Sequence, residues 1–247
     1  MIPEELFYHV FESIPRQGPG CSAATKKAFS FVHGLPEPAR VLDIGCGKGV
    51  QTLDLARLVN GTITAVDNHQ QFLDTLSADA GTAGLSGKIR TMNASMDALP
   101  FTEKEFDLIW SEGSIFIIGF ARGLAAWKPF LADGGFLVVS DSTWFRPDIP
   151  DDLRAWWEKM GGGITSEEEK VEEIRKAGYS LVSMFRLPEA GWQKEYYDPM
   201  LRIVAGLRKE YASDPALAGV LNSFVEEAEM YRKYAPYYGY TFFVIKK

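Results

Sequence analysis

From about residue 40 onward the hydrophobic positions alternate between short β-rich runs and stretches with apolar residues at helical spacing. Stacked β-α-β units produce that text, because side chains repeat every second residue on a strand and about every 3.6 residues on a helix. Val41–Ile44 reads as a first strand, a glycine turn follows, and Leu53, Leu55, Ala56 and Leu58 mark a helix. Thr62–Val66 predicts a second strand closing at Asp67, with a helix to about Ala83 that Gly84 and Gly87 break. Lys88–Met92 and Phe106–Trp110 predict the third and fourth strands. A helix carrying Leu124, Trp127 and Leu131 is expected to run into Gly134-Gly135, ahead of a fifth strand at Phe136–Ser140.

A helix is predicted over Asp151–Met160, carrying Trp156 and Trp157. Thr165 followed by Glu168 reads as a capping box opening another helix, which Gly178 closes. Ser180–Phe185 and Tyr240–Ile245 are the sixth and seventh strands. Within the insertion between them, Asp198-Pro199 and Asp214-Pro215 each read as an N-cap followed by proline at the first helical position. The second segment sets Leu217, Val220, Leu221, Phe224, Ala228 and Tyr231 on one face, so two antiparallel helices are expected.

Composition narrows the field. The chain has 247 residues, 46% hydrophobic and 24% charged, an ordinary globular balance that argues against global disorder. A net charge of −7, without a lysine or arginine stripe, argues against a nucleic-acid partner, which needs phosphate neutralisation. Cys21 and Cys46 are the only cysteines, and no zinc-type spacing or other metal-ligand cluster is present, so a reducing, cytoplasmic setting is expected. The opening MIPEELFYHVFESIPR is acidic and amphipathic, unlike a signal peptide. The apolar run Ile115–Ile118 falls far short of the ~20 residues that span a bilayer.

Val41–Thr52 reads VLDIGCGKGVQT. Such a turn between strand and helix lets a ligand approach the backbone closely, although a tight structural turn needs glycines too. The spacing is Gly45-x-Gly47-x-Gly49, and Val50 stands where a dinucleotide fingerprint would place its last glycine. Asp67, closing the second strand, is placed to accept both ribose hydroxyls of an adenosyl group; the plainer reading is a surface aspartate at a strand end.

In combination these segments resemble the class I S-adenosylmethionine (SAM)-dependent methyltransferases. The resemblance covers about residues 40–141: VLDIGCGKG, AVD, NASMDALPF, FDLIWSEG and the strand after Gly134-Gly135. It implies an α/β, Rossmann-like sheet of seven strands, mostly parallel with an antiparallel last strand, and helices on both faces. It also implies that Asp43, Gly45, Cys46, Gly47 and Gly49 surround the methionine part of SAM, with Ser111 offering a backbone contact. Asp67 would hold the ribose, Asn68 would lie beside the adenine, and Ser95 and Met96 would edge the adenine amino group. Many relatives carry aspartate where Ser95 stands, so that contact passes to Asp97 or to a backbone carbonyl. Arg16–Gly20, Trp110–Gly113 and the Tyr-Tyr-Gly-Tyr ending at Tyr240 are similar to the small-molecule subgroup related to quinone-precursor methyltransferases and to uncharacterised prokaryotic relatives.

A sulfonium is already a good leaving group, so holding the acceptor in line and excluding water suffices for most of the catalysis. There is no G-x-S-x-G motif, and the histidines are His9, His33 and His69. His69 reads as an exposed helix-start residue or a base. If a proton must leave, Glu112 is the best-placed carboxylate; the competing reading is that it orders Arg16. Arg16–Gly20 is expected to form a clasp over the cofactor in which Arg16 meets the SAM carboxylate, an ordinary helix-ending loop being the competing reading, and Leu6–Ile14 is expected to form a lid. Trp110, Trp144, Trp192, Tyr196 and Tyr237 are the expected acceptor wall, suited to a flat, apolar or cationic acceptor. Packing or a homodimer interface is the competing reading of the same aromatics. One domain is expected, with its core at about 36–187 plus 239–247 and a helical cap from about 1–35, 143–164 and 188–238. The rival functions are a non-catalytic SAM-binding sensor or assembly protein and a nucleotide-dependent oxidoreductase.

Overall fold

The computed structural model describes residues 1–247. The chain runs α1 (Pro3–Glu12), α2 (Ser22–Phe29), β1 (Ala39–Ile44), α3 (Val50–Leu58), β2 (Gly61–Asp67), α4 (Gln70–Thr82), β3 (Ile89–Asn93) and β4 (Phe106–Glu112). It continues through α5 (Phe120–Trp127), β5 (Leu131–Trp144), α6 (Asp151–Lys159), β6 (Thr165–Ser166), α7 (Glu167–Lys176) and β7 (Ser180–Arg186). It ends with α8 (Glu189–Trp192), α9 (Asp198–Glu210), α10 (Pro215–Tyr234) and β8 (Tyr238–Lys246).

The strands form one sheet in the order β3-β2-β1-β4-β5-β8-β7. Strands β1 to β5 pair in parallel, and β8 lies antiparallel between β5 and β7. The order reverses between β1 and β4, which opens a crevice at the carboxyl ends of those strands. The period of two sends alternate residues into two cores. Val138 of β5 and Phe242 and Val244 of β8 join the cluster under α1, α9 and α10, whereas Leu137, Val139, Phe243 and Ile245 join the cluster under α5 and α7. Both faces are therefore covered, as a largely parallel sheet requires.

Four local expectations are corrected. Leu131 is not helical: α5 stops at Trp127, Pro129 follows, and Leu131 pairs with Phe106 to begin a longer β5. The capping box lies one residue later, with Ser166 accepting from the Glu169 N–H and Glu169 accepting in return from the Ser166 N–H. Thr165 instead belongs to the two-residue β6, an eighth strand paired with Thr143–Trp144. Asp198 is not an N-cap, because α8 and a π-helical turn at Gln193–Tyr197 lead straight into α9; its carboxylate accepts from the Gln193 side chain instead. The Asp214 cap forms as expected, accepting from the N–H groups of Ala216 and Leu217.

The N-terminal helix is fastened at both ends. Leu6 and Val10 are fully buried, and Phe7 stacks on Phe224 of α10 at 5.5 Å. At the carboxyl end of α1, the Lys48 ammonium donates to the carbonyls of Glu12 (2.9 Å) and Ile14 (3.1 Å), a cation on the negative end of the helix. Under the sheet, Lys170 of α7 pairs with Asp141 of β5 at 2.7 Å, both side chains almost fully buried. Asp107 takes three N–H bonds from Arg40 and so braces the entry to β4. No helix is long and apolar enough to cross a membrane.

Candidate functional site

A cavity of about 450 Å³ opens at the carboxyl ends of β1, β2 and β4. Its inner wall is the glycine turn after β1. Gly45 and Gly47 have φ of +70° and +55°, the left-handed region that glycine enters without penalty. A side chain at Gly45 would strike Ser114, and a Cβ at Gly47 would stand 2.6 Å from the Gln17 amide oxygen. The turn is stitched to β2, with the N–H groups of Gly45 and Cys46 donating to the Val66 carbonyl at 2.8 and 3.0 Å.

Asp67 faces the same cavity. One carboxylate oxygen accepts from the Gly47 N–H at 2.9 Å and the other from the His69 N–H at 3.0 Å, so the group is aimed by the backbone on both sides. Asn68, Ser95, Met96 and Asp97 continue the wall. The Ser95 hydroxyl donates to Asp97 at 2.6 Å and holds that carboxyl below its usual range, while the Met96 carbonyl is taken by the Trp127 indole.

Four expected cofactor residues stand behind the wall. Asp43 is wholly buried; it accepts from Thr52 at 2.6 Å and Gln51 at 3.3 Å, and its second oxygen has no partner. Burial pushes its carboxyl up to about 7, against the pull of those two donors. Gly49, at φ +75°, is forced to be glycine by Leu76 of α4 and does not line this cavity. The Ser111 hydroxyl is spent on Ser114, which does line the cavity and donates to the Ile44 carbonyl. Gly20 lies beneath the Arg16 guanidinium, where any side chain would collide.

Glu112 accepts from Arg16 Nη2 (3.0 Å), Thr25 (2.7 Å) and the Trp110 indole (3.0 Å), with 4% of its side chain exposed. A carboxylate held by three donors is an anchor rather than a free base. Its partner keeps something in reserve: Arg16 lines the cavity, and its Nη1 is buried without an acceptor. An unspent guanidinium nitrogen beside a glycine turn suits a ligand carboxylate.

None of the five expected acceptor aromatics lines the cavity. Trp110 is fully buried, Trp144 packs edge-on against Trp157 and Tyr238, and Trp192 stacks on Tyr231 at 4.4 Å. Tyr196 packs on Tyr197, and Tyr237 carries the Arg146 guanidinium on its ring. The aromatics at the cavity are Phe7, Tyr8, Phe11, Phe72 and Phe116, joined by Ile117 and Ile118. His69, read above as exposed or basic, lines the cavity too; it stacks on Tyr8 at 4.4 Å and bonds Glu12 at 2.8 Å. The signals for these were a second apolar pair on α1, Phe7 and Phe11 one turn apart, and an apolar run directly after a strand end.

The methyltransferase-domain family matches residues 41–135, the stretch from β1 into β5. The trans-aconitate 2-methyltransferase of Streptomyces avermitilis is 36% identical over 111 residues, 43% of this chain and 40% of that protein. An O-methyltransferase of Penicillium expansum is 24% identical over 152 residues, 60% of this chain and 55% of that protein. The chain thus spans about half the length of the first curated relatives it matches. A SAM-dependent methyltransferase from Thiobacillus denitrificans, solved with S-adenosyl-L-homocysteine, superposes with a TM-score of 0.80 at 20% identity over 96% of each chain. That last likeness is one of fold.

Proposed function

We propose that the chain is a class I SAM-dependent methyltransferase and transfers a methyl group from SAM to an oxygen, nitrogen or carbon of a small molecule, releasing S-adenosylhomocysteine. One observation carries the reading: the Gly45–Gly47 turn and the Asp67 carboxylate face a single cavity at the point where the strand order reverses. In this reading Asp67 takes the ribose hydroxyls, Asn68 and Ser95–Asp97 edge the adenine, and Arg16 Nη1 takes the methionyl carboxylate. The acceptor enters over Phe116 and Ile117, its attacking atom bonds to the methyl carbon, and the carbon–sulfur bond breaks with its electron pair left on sulfur. Glu112 holds Arg16 in place and moves no proton. The chain acts as one domain in the cytoplasm, with the cap of α1, α6 and α8–α10 closing over the core.

The rival is a protein that binds SAM without turnover. The open apolar rim beside the turn favours an acceptor. The test incubates the protein with methyl-labelled SAM and a metabolite extract and identifies labelled products by mass. Labelled product is expected. SAM binding with no product from any fraction would turn the reading to the rival, and NAD(P) binding without SAM binding would end it.

A further inference from the structure

Strand β2 ends at Asp67 and α4 begins at Gln70, so Asn68 and His69 form the short turn beside the proposed ribose carboxylate. The two oxygens of that carboxylate are held from unlike directions. On one side the Gly47 N–H belongs to the glycine turn, which is itself bonded to the Val66 carbonyl of β2. On the other side the donor is the His69 N–H at 3.0 Å, and no strand of the sheet pairs with residue 69.

The His69 side chain supplies a brace that the sheet does not. Its ring lies between Tyr8 of α1, stacked at 4.4 Å with 3° between the planes, and Phe72 of α4 at 4.3 Å. Its Nε2 stands 2.8 Å from Glu12 Oε1, and since a carboxylate only accepts, the ring nitrogen donates. Tyr8, His69, Phe72 and Asp67 all line the cavity. Glu12 is the last residue of α1, and its carbonyl is held in turn by the Lys48 ammonium from the glycine turn. The imidazole is thus gripped on both faces and at one edge by groups outside its own turn.

A binding group is only as well aimed as the backbone that orients it, and the His69 N–H aims Asp67 only while its own turn is held still. A purely apolar ring would fill the stack between Tyr8 and Phe72, but it would give Glu12 no donor and nothing would fix the ring against sliding. We propose that His69 is a positioning residue for the cofactor: braced by Tyr8, Phe72 and Glu12, it holds the Asp67 carboxylate in the direction from which it accepts the ribose hydroxyls. His69 moves no proton in this role. The proposal rests on the methyl-transfer reading above, and it ties the grip on the cofactor to α1, the helix that also brings Phe7 and Phe11 to the cavity.

The test is a double-mutant cycle on the full chain, titrated with S-adenosylhomocysteine by calorimetry. His69→Ala keeps the backbone N–H and removes the brace, so affinity should fall about three- to tenfold. In the Asp67→Ala background the same substitution should change affinity by less than about twofold, because the group it positions is gone. Glu12→Ala, at a helix end with 28% of its side chain exposed, provides a second arm if His69→Ala does not fold. It should cost about two- to threefold in affinity, and that loss should likewise vanish without Asp67. Equal losses with and without Asp67 would show that His69 only packs, and would overturn the positioning role. An unchanged affinity in either single variant overturns it as well. An Asp67→Ala variant that binds as tightly as wild type also overturns it, with methyl transfer left standing. Failure of the wild type to bind S-adenosylhomocysteine instead overturns methyl transfer, and the positioning role with it.

Discussion

The two walls of the cavity are made differently. The inner wall is backbone: left-handed glycines, N–H groups donating to Val66 and a carboxylate held by two further N–H groups. The outer wall is side chain: Phe7, Phe116 and Ile117, which are 42%, 55% and 63% exposed, borne on α1 and the short segment after β4. Sheet geometry fixes the first, so it can be preorganised for a ligand that does not vary. The second tolerates exchange at little structural expense, as suits a wall whose ligand can vary.

If the sheet fixes the inner wall, damage beneath it should be the most disruptive. Asp141→Ala would leave the Lys170 ammonium buried without its partner, and stability should fall by about 3–5 kcal/mol. Urea denaturation measures this; a loss below about 1 kcal/mol would mean that the pair is not a brace. Next in size is Asp67→Ala, which removes the proposed ribose acceptor and frees the Gly47 N–H. SAM binding should weaken by about 1–3 kcal/mol by calorimetry. An unchanged affinity would show that the ribose site is elsewhere.

The same contrast explains what the sequence made readable. Short-range rules build the inner wall, and Gly45, Gly47 and Asp67 could be named because a strand, a turn and a strand end fix where they point. Asp43 was named through the resemblance, yet its side chain faces inward from the turn, a matter of side-chain direction that spacing does not encode. The outer wall of the cavity depends on tertiary packing. The tyrosines after residue 195 are concentrated in the chain, but Tyr196, Tyr197 and Tyr231 pack on one another. The rim instead falls to Phe7 and Phe116, which single-element patterning had treated as a helix face and a short apolar run.

Asp43 offers a test of how tightly the inner wall is closed. Its native carboxyl is pushed up to about 7, so between about pH 4 and 7 the folded protein keeps a proton that the unfolded chain has released. Stability from this group is then greatest at the acid end and falls as pH rises to 7. Asp43→Asn carries no such proton linkage, so its advantage over wild type should grow by about 2–3 kcal/mol across the window. Asp141 and Glu227, also shifted upward, remain in both proteins, so the difference between the two curves isolates Asp43. Parallel curves would show that water reaches the group.

The smallest structural effect should come from the outer wall, and it discriminates best between the two. Ile117 is 63% exposed. Ile117→Ser removes surface that is nearly as wet in the folded chain as in the unfolded one, so stability should change by no more than about 0.5 kcal/mol. SAM affinity should not move, because Ile117 makes none of the contacts that hold the turn or Asp67. Acceptor contact is what the substitution removes. For an acceptor found by labelled transfer, KM should rise roughly two- to fivefold, the loss of a few tens of Å² of apolar contact. Steady-state kinetics beside SAM calorimetry separates the outcomes. A weakened SAM affinity would mean that the rim belongs to the cofactor, and an unchanged KM would mean that the acceptor enters elsewhere.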